Sequence, residues 1–410
     1  MNLTMTPYEN IDITSRAFKA DPFPFYAHLR AEAPVYPSIV KMPDKKAKVW
    51  IVSRYEDVLA ALKDDRFAKD KRNVMTPEQL KKQPYVPAAF KAIERNMLDL
   101  DAPDHTRLRG LVHKAFTPRL VEDMRARVER LSTELLDEIE RKDDIDLIRD
   151  YALPIPLTII GEILGVPKED THKFHQWSKK ALSMQSMFQA LLATPSLLMF
   201  MRYLRNLFNL RRKEPQDDLI TALVQAEEAG NQMSEDELLA MVFILLIAGH
   251  ETTVNLIGTG SLELLRNPDQ LERLHDNPAL IKPAVEELLR FVTPVETATE
   301  RYAREDITIA GTTIPKGEMM FAALASANRD ENVFTNPDVL DITREPNRHL
   351  SFGQGAHYCV GAPLARLEGS IAINNLVQRF PNLRLATSSE QLVWRKGMTI
   401  RGLEKLPVKV

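Results

Sequence analysis

Apolar residues recur at helical spacing along most of this 410-residue chain, with a few alternating stretches between them. The clearest run begins at Ser234, where Ser234 and Glu237 have the spacing of a capping box. Leu238, Met241, Val242, Leu245, Leu246 and Gly249 then keep one helical face, and nothing breaks it before Asn267-Pro268. About 33 residues at ~1.5 Å rise predict a helix roughly 50 Å long, the width of a globule this size. Helical patterns also fill residues 55–62, 106–141 with an interruption near Thr117-Pro118, 157–164, and two elements within 267–291. Strand patterns are scarcer. A hairpin is predicted over 35–52, and strands at 298–304 and 307–314, the latter turning at Ala310-Gly311. The pattern predicts a mainly α fold with small β-sheets. It reads as one catalytic unit over residues 1–410, its β-rich part confined to about 30–55 and 297–321.

Two stretches, 68–96 and 176–209, depart from rigid periodicity. Met184, Met187, Phe188, Leu191, Leu192, Leu197, Met199 and Phe200 make the second apolar and pliable, although ordinary helix packing is the plainer reading of any one of them. A hydrophobic content of 44% is ample for a large core. The balance of 54 basic and 57 acidic residues carries no strongly cationic segment, which argues against nucleic acid. One cysteine excludes an intrachain disulfide and fits a reducing compartment. Residues 1–16 lack a signal-peptide pattern, and the apolar run 238–249 is short for a spanning helix. The expectation is a cytoplasmic monomer with no membrane anchor.

That cysteine, Cys359, sits in Phe352-Gly353-Gln354-Gly355-Ala356-His357-Tyr358-Cys359-Val360-Gly361. Three glycines allow tight, positive-φ turns, so backbone N–H groups can close around the sulfur. Ala362-Pro363 reads as a helix start just beyond it. The helix's positive end and backbone donors are expected to keep the thiol ionised. The plain alternative is a small buried hydrophobe.

Within the long helix lies Ala248-Gly249-His250-Glu251-Thr252-Thr253. A helix-interior glycine costs about 1 kcal/mol relative to alanine, so Gly249 implies a close approach to the backbone. Glu251 and Thr252 are an acid–alcohol pair suited to proton relay, and a threonine bonding back to a carbonyl opens a local kink. The alternative is a solvated glutamate beside packed threonines. His250 reads as a packing or hydrogen-bonding residue.

The cysteine stretch fills every fixed position of F-G-x-G-x-H-x-C-x-G and resembles the haem-ligand loop of the cytochromes P-450, with Val360 where leucine is frequent. Residues 248–253 are similar to that family's A-G-x-[D/E]-T-[T/S] helix. The resemblance spans nearly the whole chain and is strongest to bacterial members that oxidise polyketides and macrolides. It implies haem b with Cys359 as axial ligand, a thiolate that favours O–O cleavage. It implies a monooxygenase in which Glu251 exchanges protons with solvent and Thr252 steadies the reduced oxygen. Ala248, Gly249, Phe352, Gly353 and Gly361 would border the haem, and His105, Arg109, Arg301 and His357 would bind its propionates. Asp104 or Asp101 would start the helix carrying the first two.

Glu287 and Arg290 match the family's buried structural pair, which is joined by an arginine for which Arg344 and Arg348 are candidates. The distal pocket would be lined by Met97, Ile244, Ala248, Val295 and Ile400, implying a mid-sized hydrophobic substrate. Glu296 nearby would meet a hydroxyl or amine, or face water. No nucleotide fingerprint and no further cysteine are present, so electrons must arrive from outside. A ferredoxin or flavodoxin with an NAD(P)H-dependent reductase is implied, docking near Arg107, Lys114, Arg119 and Arg366. Rival readings are a peroxide-using peroxygenase, which tends to lack the acid–alcohol pair, a haem-binding sensor or carrier, and a cysteine hydrolase. The last is disfavoured because His357 lies too close in sequence to serve as a base.

Overall fold

A 32-residue helix, Glu235–Arg266, forms the axis of the molecule. In this computed structural model, residues 11–41, 46–81, 93, 95–170, 173–174, 176–177, 187–228 and 233–410 are described. Ser234 and Glu237 make both halves of the capping box, and the acidic first turn complements the helix dipole. Asn267 ends the helix and Pro268 opens the next. Its length and apolarity would suffice to cross a membrane, but 61% of its most apolar stretch is buried inside the protein. It packs on Pro154–Ile163, Ile281–Val292 and Ala362–Arg379, all of which place branched apolar residues against it. Each fully buried Leu, Ile or Phe contributes about 1.5–3 kcal/mol, so this helix organises most of the core.

The predicted hairpin forms as Val35–Lys41 and Lys46–Val52, in register from Val35 opposite Val52 to Lys41 opposite Lys46. Met319–Ala322 adds parallel to its second strand, Arg301–Ala303 adds antiparallel to that, and Phe67–Ala68 closes the edge. Ile307–Ile309 and Thr312–Ile314 form a separate hairpin. Its turn residues Ala310 and Gly311 have φ of 46° and 79°. A last sheet joins Ile145–Asp146, Pro407–Lys409 and Arg384–Leu385.

Several boundaries differ from the expectation. The run at 106–141 is three helices, Asp104–Ala115, Pro118–Asp123 and Arg125–Ile139, with an additional break at Met124. From Met187 onward the pliable stretch is one helix, Met187–Lys213, that carries Pro195 inside it. Leu197 and Phe200 are buried in the main core, Phe200 edge-on to Phe174 at 5.6 Å, while Met199 is exposed. Met184 lies outside the described residues, as do the side chains of Met187, Phe188, Leu191 and Leu192.

Candidate active site

The cysteine loop folds back on itself where Cys359 N–H donates to the Phe352 carbonyl at 2.9 Å. Gly353 and Gly355 have φ of 67° and 75°. A Cβ on Gly355 would fall 2.8 Å from the Leu62 carbonyl oxygen, so only glycine fits there. Gly361, at φ −80°, is ordinary backbone immediately before the helix Ala362–Arg379. Cys359 remains solvent-accessible. Its sulfur nonetheless lies deep enough that burial pushes the thiol up from its ordinary value, against the backbone N–H groups of Gly361 and Ala362 and the charges of Arg109 and Arg366. In the protein alone, desolvation thus works against the ionised state expected of the thiol, and the backbone donors and arginines work for it. Arg366 stacks 4.5 Å over the Phe352 ring and grips Glu286 at 2.6 and 2.9 Å, which fixes the loop to the helix Ile281–Val292.

Beside the loop the fold gathers basic side chains. His105 and Arg301 are buried. Arg109 donates to the Tyr358 carbonyl at 2.5 Å, and His105 stacks on His357. Burial, then the neighbouring positive charges, drives His357 down to about 2, and burial lowers Arg301 to about 10. Among the described residues, none of the four forms an ion pair, and His105 Nε2 has no hydrogen-bond partner. Asp101 serves elsewhere: it accepts from the Lys69 and Asp70 N–H groups and pairs with Arg304 at 3.0 Å. Asp104 sits in the first helical turn, and no side chain caps that helix.

Lys69 is a cation the sequence reading missed. It is buried, donates to Thr299 Oγ1 at 2.6 Å and to the Glu300 carbonyl at 2.8 Å, and is lowered to about 8 by burial and then by Arg301. Only the pairing of Phe67–Ala68 with Tyr302–Ala303 brings it beside Arg301, and no local motif encodes that pairing. Buried Lys69 and Arg301 beside Arg109, with an orphaned imidazole nitrogen close by, are suited to an anionic ligand, as two haem carboxylates are.

On the central helix, Leu238–Phe243 and Thr253–Leu264 are buried. Between them Ala248 is exposed, and Ile244, Gly249, Glu251 and Thr252 are partly accessible, so the helix borders a hollow at mid-length. Thr252 Oγ1 donates to the Ala248 carbonyl at 2.9 Å, and buried His250 bonds the Leu246 carbonyl at 2.8 Å. From the protein side Gly249 is not crowded, which leaves its outer face open to a bound group. A Cβ there would meet Ile160 at an ordinary 3.6 Å. Glu251 is not simply solvated, for its Oε1 pairs with Arg395 at 3.0 Å.

Glu287 and Arg290 are fully buried and joined by two bonds of 2.7 Å. Arg344 adds its Nε at 3.1 Å, whereas Arg348, among the described residues, bonds Tyr55 through its carbonyl and not Glu287. Of the pocket residues, Val295 bridges Ile400, and Met97 and Ile244 rest half-buried on the main core. Glu296 meets both a hydroxyl and an amine, but they are the protein's own. It is buried and accepts from Lys19 at 2.8 Å and Tyr26 at 2.6 Å, so it neither faces water nor awaits a ligand. Of the docking cations, Arg107 is paired with Glu237 and Arg366 with Glu286, while Lys114 and Arg119 are exposed.

The cytochrome P450 family model matches residues 200–392. The polyketide biosynthesis cytochrome P450 PksS of Bacillus subtilis is 44% identical over 96% of this chain and 97% of its own. The vitamin D(3) 25-hydroxylase of Pseudonocardia autotrophica is 43% identical over 100% of this chain and 98% of its own. The solved structure of myxobacterial CYP267B1 with myristic acid, 41% identical, superposes with a TM-score of 0.89 over 97% of this chain and 98% of that one. The fold and the cysteine loop are those of a haem-thiolate oxygenase. The chain belongs to the cytochrome P450 family. It is accordingly a monooxygenase that binds haem b, uses O₂ on a hydrophobic organic molecule and draws electrons from a redox partner.

Proposed function

We propose that this chain hydroxylates a mid-sized hydrophobic molecule of the polyketide, macrolide, terpenoid, steroid or fatty-acid kind, as one cytoplasmic catalytic unit fed by a ferredoxin or flavodoxin. The observation that carries the reading is the mid-helix hollow: Ala248, Glu251 and Thr252 stay accessible inside a helix otherwise buried on both sides. Relatives bearing 40–44% identity include a polyketide-pathway enzyme, a vitamin D hydroxylase and a structure holding myristic acid, which supports the range of substrates.

Cys359 would ligate the iron, and His105, Arg109, Arg301 and His357 would hold the propionates, with Lys69 alongside. When bound, haem supplies the activation of O₂. The chain supplies protons and keeps water out. Glu251 is partly accessible, so its carboxylate takes protons from solvent. Thr252 spends its hydroxyl hydrogen on the Ala248 carbonyl and keeps its oxygen lone pairs free to accept a proton donor in the hollow. Met97, Ile244, Ala248, Val295 and Ile400 would line the substrate side.

The test is a reduced, CO-bound spectrum with and without Cys359→Ser, then turnover of Glu251→Gln and Thr252→Ala. A thiolate-type band lost in the serine variant, with product yield per NAD(P)H falling in the other two, is expected. An imidazole-type band in the parent protein would overturn the assignment of the ligand. Parent-level product yield in both relay variants would overturn the assignment of the relay.

A further inference from the structure

Glu251 has a partner from the far end of the chain. Arg395 Nη1 lies 3.0 Å from Glu251 Oε1, across 144 residues of sequence, and the two side chains are 31% and 28% exposed. The guanidinium is not free to wander. Arg395 N–H donates to the Gly402 carbonyl at 2.9 Å, and its Nε donates to the Leu403 carbonyl at 3.1 Å. Trp394 bridges Leu403, so residues 394–403 form a closed loop of strand-like chain that sets where the charge sits.

That loop presses hard on the central helix. A Cβ at Gly402 would fall 1.9 Å from Asn255 Oδ1, one helical turn beyond Glu251. The same loop borders the substrate side. Ile400 bridges Val295, Arg401 N–H donates to the Pro294 carbonyl at 3.0 Å, and the Thr399 carbonyl accepts from Glu296 N–H at 2.8 Å. Four residues therefore separate a pocket side chain from the cation that holds the relay carboxylate.

We propose that Arg395 is a positioning residue that ties occupancy of the substrate pocket to proton delivery by Glu251. It rests on the relay reading above. A protonated carboxyl gives up its charge-assisted bond to a guanidinium, so proton uptake by Glu251 and release of Arg395 go together. While the loop is at rest, Arg395 holds the Glu251 carboxylate turned toward residues 394–403. A molecule that displaces Ile400 moves the loop, and with it the guanidinium. The empty enzyme is thereby kept from passing protons to O₂ and wasting reductant.

The test is substrate-free NAD(P)H oxidation by haem-loaded enzyme with a surrogate ferredoxin and reductase, in the parent, Arg395→Met, Arg395→Lys, Glu251→Gln and Glu251→Gln/Arg395→Met. Arg395→Met should raise the idle rate about threefold, the range that an ion pair one-third exposed supports. Arg395→Lys should restore most of the restraint, and the double variant should match Glu251→Gln alone. The thiolate-type CO spectrum should stay intact throughout. If Arg395→Met idles at the parent rate while Glu251→Gln departs from it, or if the two substitutions combine independently, the link is wrong. If Glu251→Gln itself matches the parent, the relay reading fails instead. Arg395→Gln serves the same comparison should the methionine variant fold poorly.

Discussion

The imidazole rings of His105 and His357 lie 4.0 Å apart at 37° to one another. They sit beside Arg301 and Arg109, and among the described residues no carboxylate is bonded to any of the four. Arg301 in this setting costs stability by itself, because a buried cation loses hydration without a partner. It becomes favourable once an anion arrives. Arg301→Met should consequently act with opposite signs in the two states. The haem-free protein should melt at the same temperature or higher. The loaded protein should pass haem to apomyoglobin about tenfold faster, in keeping with the loss of one charge-assisted contact. Parallel destabilisation of both forms would mean that Arg301 serves only the fold.

A second prediction concerns Glu287. Its carboxylate accepts from Arg290, Arg344 Nε, the Asp341 N–H and Asn347 Nδ2, all within 3.1 Å. Glu287→Gln keeps the shape but leaves two guanidiniums without their counter-charge. A cost of about 3–5 kcal/mol is expected, visible in urea unfolding or as loss of soluble holoprotein. Arg344→Lys should cost far less. Equal losses in both variants would place the energy in packing around position 344 and not in the charge.

Much of this was readable in the chain, and the reasons differ by element. The long helix was legible because its cap, its periodicity and its terminating Asn267-Pro268 are all local signals. The hairpin at 35–52 was legible because alternation fixes register. The cysteine loop was legible as a motif, but the state of the thiol was not, since burial is a property of the whole fold. Lys69, Arg395 and the partners of Glu296 were invisible for the same reason. Each reaches its site through contacts spanning more than 100 residues.

Lys19 and Glu296 supply a third prediction. The pair is almost completely buried, and Lys19 is lowered by desolvation more than Glu296 can restore. Lys19 also donates to the Met398 carbonyl at 3.2 Å, and Arg401 donates to the Lys19 carbonyl at 2.9 Å. The helix Arg16–Ala20 is thus fastened to the loop that carries Ile400. Lys19→Met should cost about 3–5 kcal/mol by stranding the carboxylate, and Lys19→Met/Glu296→Gln should recover most of it. Thermal melts of the two single variants and the double variant give the coupling directly. Additive losses would show that the charges do not sense each other.

The final prediction is a pH dependence of stability. Glu368, on the helix that follows Cys359, is buried, and neither carboxyl oxygen has a hydrogen-bond partner of good geometry among the described residues. Burial raises it to about 8, opposed by the nearby Thr253 hydroxyl. In the unfolded chain a glutamate titrates near 4.3. The folded protein therefore holds a proton that the unfolded chain has released, and stability falls as pH rises from about 4.5 towards 8, then levels off. Glu368→Gln is neutral throughout and removes this slope. The variant and the parent should melt together near pH 4.5, separate progressively above it, and differ most beyond pH 8, with the glutamine form the more stable. Melting curves that stay parallel from pH 5 to 9 would mean that Glu368 is ionised in the fold, held by a partner such as an ordered water at Thr253.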